Sequence, residues 1–290
     1  MLFLNQPSAH RRIAQLTSAL SLLALPTISL FGQNPLSVSK PEKDNSVEAQ
    51  LESFTIDPRL EIKLFADETM GISNPICFRW DAHGRLWVLC TWAYPQLKPG
   101  EPPNDKILIL EDTNADGHAD KIITYADGLN MPTGFALGHG GAYIGNSRDL
   151  IHVRDTDDDD RADAREIIFT GFGTGDTHQN INSFAWSPGG ELYFSQGLHC
   201  FSRVQTPWGI RRLDEHGSWR LRPLRRQLHA HRRTSGGGNP WGFAFGDWGE
   251  PFIKSNGNTI SELLPGLVST EYISGGYWGG AMQIGGTKIK

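Results

Sequence analysis

Between residues 74 and 254 the chain repeats one short unit four times: an apolar run, a glycine-centred turn and a second apolar run. The first runs are Cys77-Phe78-Arg79-Trp80, Gly134-Phe135-Ala136-Leu137, Ser183-Phe184-Ala185-Trp186 and Gly242-Phe243-Ala244-Phe245. The turns are Asp81-Ala82-His83-Gly84, Gly138-His139-Gly140-Gly141, Ser187-Pro188-Gly189-Gly190 and Gly246-Asp247-Trp248-Gly249. Aromatic and β-branched runs joined by short Gly/Asp turns predict β-hairpins. Turn glycines Gly84, Gly140, Gly190 and Gly249 stand 56, 50 and 59 residues apart, room for about four short strands each,. That is the length of one β-propeller blade. Pro75, Pro132 and Pro240 precede three of the units, where a proline at a strand's first residue costs no ladder hydrogen bond. Long helical periodicity is absent from 54 to 290. The expected fold class is therefore all-β, a β-propeller with about four legible blade units. Four blades can close a ring, but the Gly-rich run up to Lys290 favours an incomplete propeller, an arc of a larger ring.

Two aspartate-rich stretches punctuate the outer halves of the first two units. Asp112, Asn114, Asp116 and Asp120 recur 43 positions later as Asp155, Asp157, Asp159 and Asp163. Oxygen-bearing side chains at relative positions 1, 3, 5 and 9 let one loop curl around a hard cation such as Ca2+. In the first loop the His118 carbonyl would supply the seventh position and Gly117 the sharp turn. Position 12 is Ile123 there, whereas the second loop offers Glu166 but has Asp160 in place of the turn glycine. The flanks read as strands (106–110, 121–125, 150–153 and 166–169), so these are Ca2+ loops on β-hairpins rather than EF-hands. The alternative is a solvated acidic turn, in which five clustered acids would repel one another without a cation.

The N-terminus reads as an export signal. His10-Arg11-Arg12 precedes a mostly apolar run from Ile13 to Phe31,. The expected organisation is a signal peptide or N-terminal anchor over 1–32, a linker over 33–53 and the propeller over 54–290, in a periplasmic or extracellular protein that meets the membrane only through its first segment. Removing 1–32, which holds two arginines and no acid, takes the net charge from −5 to −7. Such an acidic chain argues against general nucleic-acid binding. Cys77, Cys90 and Cys200 make an odd set. Cys77 and Cys90 flank the first hairpin and are candidates for a cross-strand pair, but small buried residues are the favoured reading. Neither a thiolate zinc motif nor a Cys-x-x-Cys-His haem motif is present.

A polar segment, 171–182, enters the third unit. It lacks the Gly-Lys-Ser/Thr of a phosphate loop. His178, Asn180 and Asn182 lie just before an inner strand, where propeller loops ring the channel mouth, and Gln196, His199 and Arg203 follow the strand pair. Two histidines, an arginine and several amides suit oxidation of an alcohol, a neutral histidine taking the hydroxyl proton while a cofactor takes the hydride. The competing reading is that these groups satisfy backbone atoms in long loops. Residues 211–233 hold eight arginines. Trp219-Arg220-Leu221-Arg222 alternates as a half-buried strand does, so an exposed outer hairpin is favoured over an anion-binding surface.

Ile107-Leu108-Ile109-Leu110-Glu111-Asp112-Thr113, Asp127-Gly128-Leu129-Asn130-Met131-Pro132-Thr133-Gly134, Asp176-Thr177-His178-Gln179-Asn180 and Gln205-Thr206-Pro207-Trp208-Gly209 together resemble the bacterial membrane-bound dehydrogenase-domain family, also called the PVC-type haem-binding family. The resemblance covers roughly residues 54–290. The N-terminal propeller of that family is distantly similar to glucose/sorbosone dehydrogenases, which use pyrroloquinoline quinone (PQQ) and Ca2+. The resemblance implies a sugar or alcohol substrate, PQQ, and an external electron acceptor such as a cytochrome c. It implies His178 as proton-abstracting base and Arg203 as a cofactor contact, with Asn180, Asn182, Gln196 and His199 as further cofactor-binding candidates. Members often carry a C-terminal Cys-x-x-Cys-His cytochrome module, which these residues do not contain, so no covalent haem is expected here. The alternative function is a non-catalytic Ca2+-binding module that holds glycan or protein through Trp92, Tyr94, Trp208 and Trp241.

Overall fold

The computed structural model describes residues 44, 46–232, 239–255, 260–263 and 281–285. The chain divides into two compact units, 1–50 and 51–290. The export segment 1–32, most of the linker and Arg233 lie outside the described residues. A short helix, α1 (Val47–Glu52), crosses the boundary. No helix among the described residues is long and apolar enough to cross a membrane.

Among the described residues the second unit holds four four-stranded antiparallel sheets and one two-stranded sheet. The first runs β1 (Pro75–Trp80), β2 (Leu86–Cys90), β3 (Asp105–Glu111) and β4 (Lys121–Leu129) in simple order. The second likewise runs β5 (Pro132–Gly138), β6 (Gly141–Asn146), β7 (Asp149–Arg154) and β8 (Ala164–Thr170). The third is β9 (Asn182–Trp186), β10 (Leu192–Gln196), β13 (Gly217–Arg222) and β14 (Gln227–Arg232). Between β10 and β13 it carries a separate hairpin, β11 (Ser202–Thr206) and β12 (Gly209–Leu213), that the hairpin repeat did not anticipate. The fourth is β15 (Pro240–Phe245), β16 (Pro251–Ser255), β17 (Ile260–Leu263) and β18 (Ala281–Gly285). These are blade-like meanders, and the first strands follow one another in space, β1 against β5, β5 against β9 and β9 against β15.

Each of the four sequence repeats is the inner hairpin of one sheet. In three of them the last turn residue donates its amide to the first turn residue's carbonyl: Gly84 to Asp81 (3.2 Å), Gly190 to Ser187 (3.0 Å) and Gly249 to Gly246 (3.0 Å). These glycines sit at φ near +80°, a left-handed conformation open to a residue without Cβ,. The Asp81 carboxylate locks the first turn, accepting from the His83 and Arg85 amides and the Trp87 indole, each at 2.9 Å. Every inner hairpin also carries a register shift near the beginning of its first strand, at Pro75/Cys77, Pro132/Gly134, Tyr193/Ser195 (opposite β9) and Pro240/Gly242.

Strand β3 shows why both faces of a sheet are apolar. Ile107 and Ile109 enter the cluster shared with the second sheet, while Leu108 and Leu110 enter a cluster on the opposite face. Alternate residues of a strand point to opposite faces, so a strand buried on both sides reads as a continuous apolar run. The first core joins sheets one and two through Trp87, Tyr125, Phe135 and Ile144. The second joins sheets two and three through Phe169, Phe184, Phe194 and Trp219. A phenylalanine stands three residues before each turn: Phe78, Phe135, Phe184 and Phe243. Phe135 is 0% and Phe184 2% exposed because the preceding sheet covers them, whereas Phe78, on the first sheet, is 58% exposed. Gly145 permits close stacking of the inner strands, since a Cβ there would lie 2.5 Å from the Ile181 carbonyl.

All three cysteines are free. Cys77 opposes Leu89, and Cys90 opposes Pro75, so the two are not cross-strand partners. Burial raises all three thiol pKa values, that of Cys200 to about 11, which makes them poor nucleophiles,. The arginine-rich stretch forms β12 to β14. Trp219 and Leu221 are fully buried and Arg220 and Arg222 half-buried, as an outer hairpin requires.

Two outcomes follow for stability. Phe135→Ala should cost about 3–5 kcal/mol, while Phe78→Ala at the same repeat position should cost about 0.5 kcal/mol or less. Urea unfolding at low protein concentration checks this, and equal losses would refute the covering role of the first sheet. Burial, aided by the Arg220 charge, lowers the His231 pKa from 6.5 to about 4. The unfolded chain therefore binds a proton between those pH values that the folded chain refuses. Stability should fall as pH drops from 6.5 towards 4, by about 3 kcal/mol. His231→Gln should flatten that slope, and an unchanged slope would assign it elsewhere.

Candidate functional site

The strand directions place the candidate residues at two opposite ends of the sheets. One end holds the inner turns and the two acidic loops, which join β3 to β4 and β7 to β8. The other holds the starts of the inner strands together with the segment 176–182. β3 has seven residues, and at about 3.3 Å per residue the two ends are roughly 20 Å apart.

The acidic loops share one backbone frame 43 residues apart. Asp112 Oδ2 accepts the Gly117 amide and Asp155 Oδ2 the Asp160 amide, both at 2.8 Å. Asp116 accepts the His118 amide and Asp159 the Arg161 amide, again both at 2.8 Å. Asp120 accepts from Thr113, and Asp163 from Thr156. Asn114 Oδ1 accepts the Asp116 amide at 2.9 Å. Asp160 takes the turn conformation that Gly117 takes, at φ +66° against +91°. Its carboxylate is held by Arg85 of the first sheet at 2.7 Å. Among the described residues, Asp155, Asp157 and Asp159 bring carboxylate oxygens within 4.8 Å of one another. The Asp159 charge, with some desolvation, raises the Asp157 pKa. Desolvation of Asp155 is outweighed by the amides of Asp160, Asp157, Asp159 and Asp158, and its pKa falls. In the first loop the amide of Gly117 leads in lowering that of Asp112. Glu166 does not join the cluster of three, and its carboxylate pairs instead with Arg226 in the connection between β13 and β14.

Each loop also clamps its neighbour. The Ala162 amide donates to the Tyr125 carbonyl at 2.7 Å, tying the second loop to β4. The Ala119 amide donates to the Phe65 carbonyl at 2.8 Å, tying the first loop to the segment before β1. A cleft of ≈ 350 Å³ opens beside the second loop, lined by Tyr125, Asp127, Arg161, Asp163 and Arg165. Another, of ≈ 370 Å³, lies between the inner turns of sheets two and three, by His139, Glu191 and Arg222.

At the opposite end, Asp176 caps a single 3-10 turn, Thr177–Gln179. Its Oδ1 takes the His178 amide at 3.0 Å and faces His178 Nδ1 at 3.0 Å, while its Oδ2 takes the Gln179 amide group at 3.1 Å. The His178 side chain is 55% exposed, and the Tyr94 ring meets it edge-on at 5.2 Å. The other candidates separate. Asn180 is buried, and neither side-chain polar atom has a partner among the described residues. Asn182 is buried, donating to the Asn180 carbonyl and accepting from Ser183. Gln196 is a buried strut: Nε2 donates to the Cys200, Leu213 and Glu215 carbonyls, and Oε1 accepts from Ser202 and Trp219. His199 is exposed at φ +63°. Arg203 pairs with Asp214 at 2.5 Å and donates to the Ser202 carbonyl. The structure thus brings His178 to Asp176 and Tyr94, and takes up Gln196, Asn182 and Arg203 elsewhere.

Two residues at this end had no role in the sequence reading. Asp176 was legible as a capping residue two positions before His178. Asp105 was not: it is fully buried and accepts the amides of Trp92 (2.6 Å), Ala93 (3.0 Å) and Met131 (2.9 Å), fixing the loop that carries Tyr94. A lone aspartate at a strand start announces nothing about two distant loops.

No curated protein matches the chain. Among solved structures, it is similar to an oxidoreductase (glucose dehydrogenase), provisionally so named, from Thermus thermophilus, at 18% identity and TM-score 0.42 over 67% of this chain and 62% of that one. It is similar to virginiamycin B lyase from Staphylococcus aureus at 12% identity and TM-score 0.38, over 67% of each chain. For the extracellular domain of a one-component system of B. thetaiotaomicron the values are 13% and 0.39, over 67% of this chain and 20% of that one. The chain therefore spans less than two thirds of the first and third of these proteins. A family model described as a domain of unknown function, DUF7133, matches residues 46–275, and the chain belongs to that family.

Proposed function

We propose that the end bearing Asp176, His178 and Tyr94 binds a sugar or small alcohol through a hydroxyl group, with His178 as proton acceptor. The observation that carries this is the 3.0 Å approach of His178 Nδ1 to Asp176 Oδ1 on a half-exposed ring. A carboxylate at Nδ1 favours the tautomer that donates there and leaves Nε2 as the accepting nitrogen. Asp176 is itself held by two further donors, so the imidazole is oriented before a ligand arrives. Trp92 and Tyr94 are exposed on the loop that Asp105 fixes, offering flat apolar surface to the C–H face of a sugar,.

The finer reading, a quinoprotein-type dehydrogenase, adds PQQ as hydride acceptor. A tricarboxylate quinone needs cations and free amide donors. Arg203 is taken by Asp214, Gln196 by three carbonyls, and Asn182 by its neighbours. Among the described residues Asn180 keeps unpartnered amide atoms, but one buried amide does not supply the cations such a quinone needs, so these residues do not make up a quinone-binding set and no redox step is derived through it. The exposed rings of Trp92, Tyr94, Trp208 and Trp241 favour a second reading, a non-catalytic module for glycan or protein.

Calcium belongs in the same proposal at the opposite end. Asp155, Asp157 and Asp159 offer converging oxygens, and the first loop repeats the frame with Asp112, Asn114, Asp116 and Asp120. An ion in the second loop would relieve the repulsion that raises the Asp157 pKa,. It would also stiffen the clamp between sheets one and two.

Titration calorimetry with monosaccharides and small alcohols tests the first part. His178→Ala should weaken binding about tenfold, or about 1.4 kcal/mol, and Asp176→Asn should weaken it with an altered pH profile. Wild type and both variants binding alike would remove His178 from the site. For the loops, thermal unfolding should shift upward with Ca2+, by about 2.7 kcal/mol of stability at a hundredfold excess over Kd. Asp157→Asn should reduce that shift, and a midpoint indifferent to Ca2+ and chelator would overturn the assignment.

A further inference from the structure

The first loop rests on something the repeat does not explain. In the second sheet the acidic loop bonds to Tyr125 of β4, the outermost strand of the preceding sheet. In the first sheet the equivalent alanine bonds to Phe65, in the segment 60–66, which has no strand partner among the described residues. That segment stands where the outermost strand of a preceding sheet would stand. Phe65 and Ala66 pack on Val88, Leu108 and Leu110. Around them lies uncovered apolar surface: Leu60 is 67%, Ile62 36%, Phe78 58% and Trp80 56% exposed. A segment without a strand partner beside exposed apolar side chains offers its backbone to another chain, as an open sheet edge does.

The sequence of that edge says which chain. Leu60-Glu61-Ile62-Lys63-Leu64 is self-complementary when it pairs antiparallel about Ile62. Ile62 then faces its own copy, each Leu60 faces a Leu64, and each Glu61 faces a Lys63. Directly opposite apolar pairs and opposite-charge pairs both stabilise an antiparallel ladder. Glu61 and Lys63 already lie on one side of the segment, 3.7 Å apart. A two-fold axis through Ile62 satisfies both copies at once, as an isologous dimer requires.

We infer that a second copy of this chain docks here, pairing the two 60–64 edges antiparallel about Ile62 and screening the Phe78 and Trp80 face. Sedimentation velocity on the full chain across a protein concentration series tests it. Wild type should dimerise. Glu61→Lys and Lys63→Glu should each weaken the dimer about tenfold by placing like charges opposite one another, and the double reversal should restore it. Ile62→Cys should cross-link to its own copy on oxidation, since the native thiols are sequestered by burial. A monomer at every concentration overturns the proposal and leaves this edge to a sheet from another polypeptide segment. A dimer indifferent to both charge reversals and without the Ile62→Cys cross-link overturns it too, by placing the interface elsewhere.

Discussion

The stacking of one twice-apolar sheet on the next sets the terms for everything else in this protein. A four-stranded meander with Ile107 and Ile109 on one face and Leu108 and Leu110 on the other cannot leave either face in water without losing much of its hydrophobic stabilisation,. It must therefore find a neighbour on both sides. The phenylalanine three residues before each inner turn makes the requirement concrete. The ring is sealed by the preceding sheet at Phe135 and Phe184 and half-buried against Tyr193 of the preceding sheet at Phe243; on the first sheet Phe78 stands in the open. Small residues do the complementary work, and Gly145 lets the Ile181 carbonyl, just before β9, approach β6 closely.

Stacking also explains the division of labour between the two ends of the sheets. Connections can leave a stack only at its ends, because its faces are occupied. The acidic loops use one end as fasteners, the amide of Ala162 bonding to Tyr125 of β4 and that of Ala119 to Phe65 in the segment before β1. The Arg85 to Asp160 ion pair adds a side-chain tie between the first turn and the second loop. At the other end the loops are held from within. Asp105 gathers three amides of two loops, and Gln196 gathers three carbonyls. That support leaves the His178 to Asp176 pair presented on a rigid base, which is what an acid–base group needs in order to be aimed rather than merely present.

Legibility followed the range of the interactions. The four inner hairpins and the position of both acidic loops were readable because a glycine turn or an aspartate curl is written within ten residues. The hairpin β11–β12 was missed because its turn, around Trp208 and Gly209, lay outside the repeat used to read the chain. Arg203 and Gln196 were readable as polar groups near an inner strand, but their partners were not. Asp214 and the carbonyls that hold Gln196 belong to that inserted hairpin and its flanks.

The amino-acid sequence alone determined the local frames: period-two apolar strands, left-handed glycine turns, and two aspartate loops whose first carboxylate caps its own amides. These depend on backbone sterics and on hydrogen bonds between residues a few positions apart. Only the tertiary structure decided which faces are covered and which polar groups are free. Phe78 and Phe135 occupy the same place in the same repeat and differ in nothing but what packs against them. Glu166 sits at a ligand-like spacing and is taken instead by Arg226, 60 residues away. Burial and charge pairing depend on what other segments bring to a residue, and that becomes fixed only once the sheets have stacked.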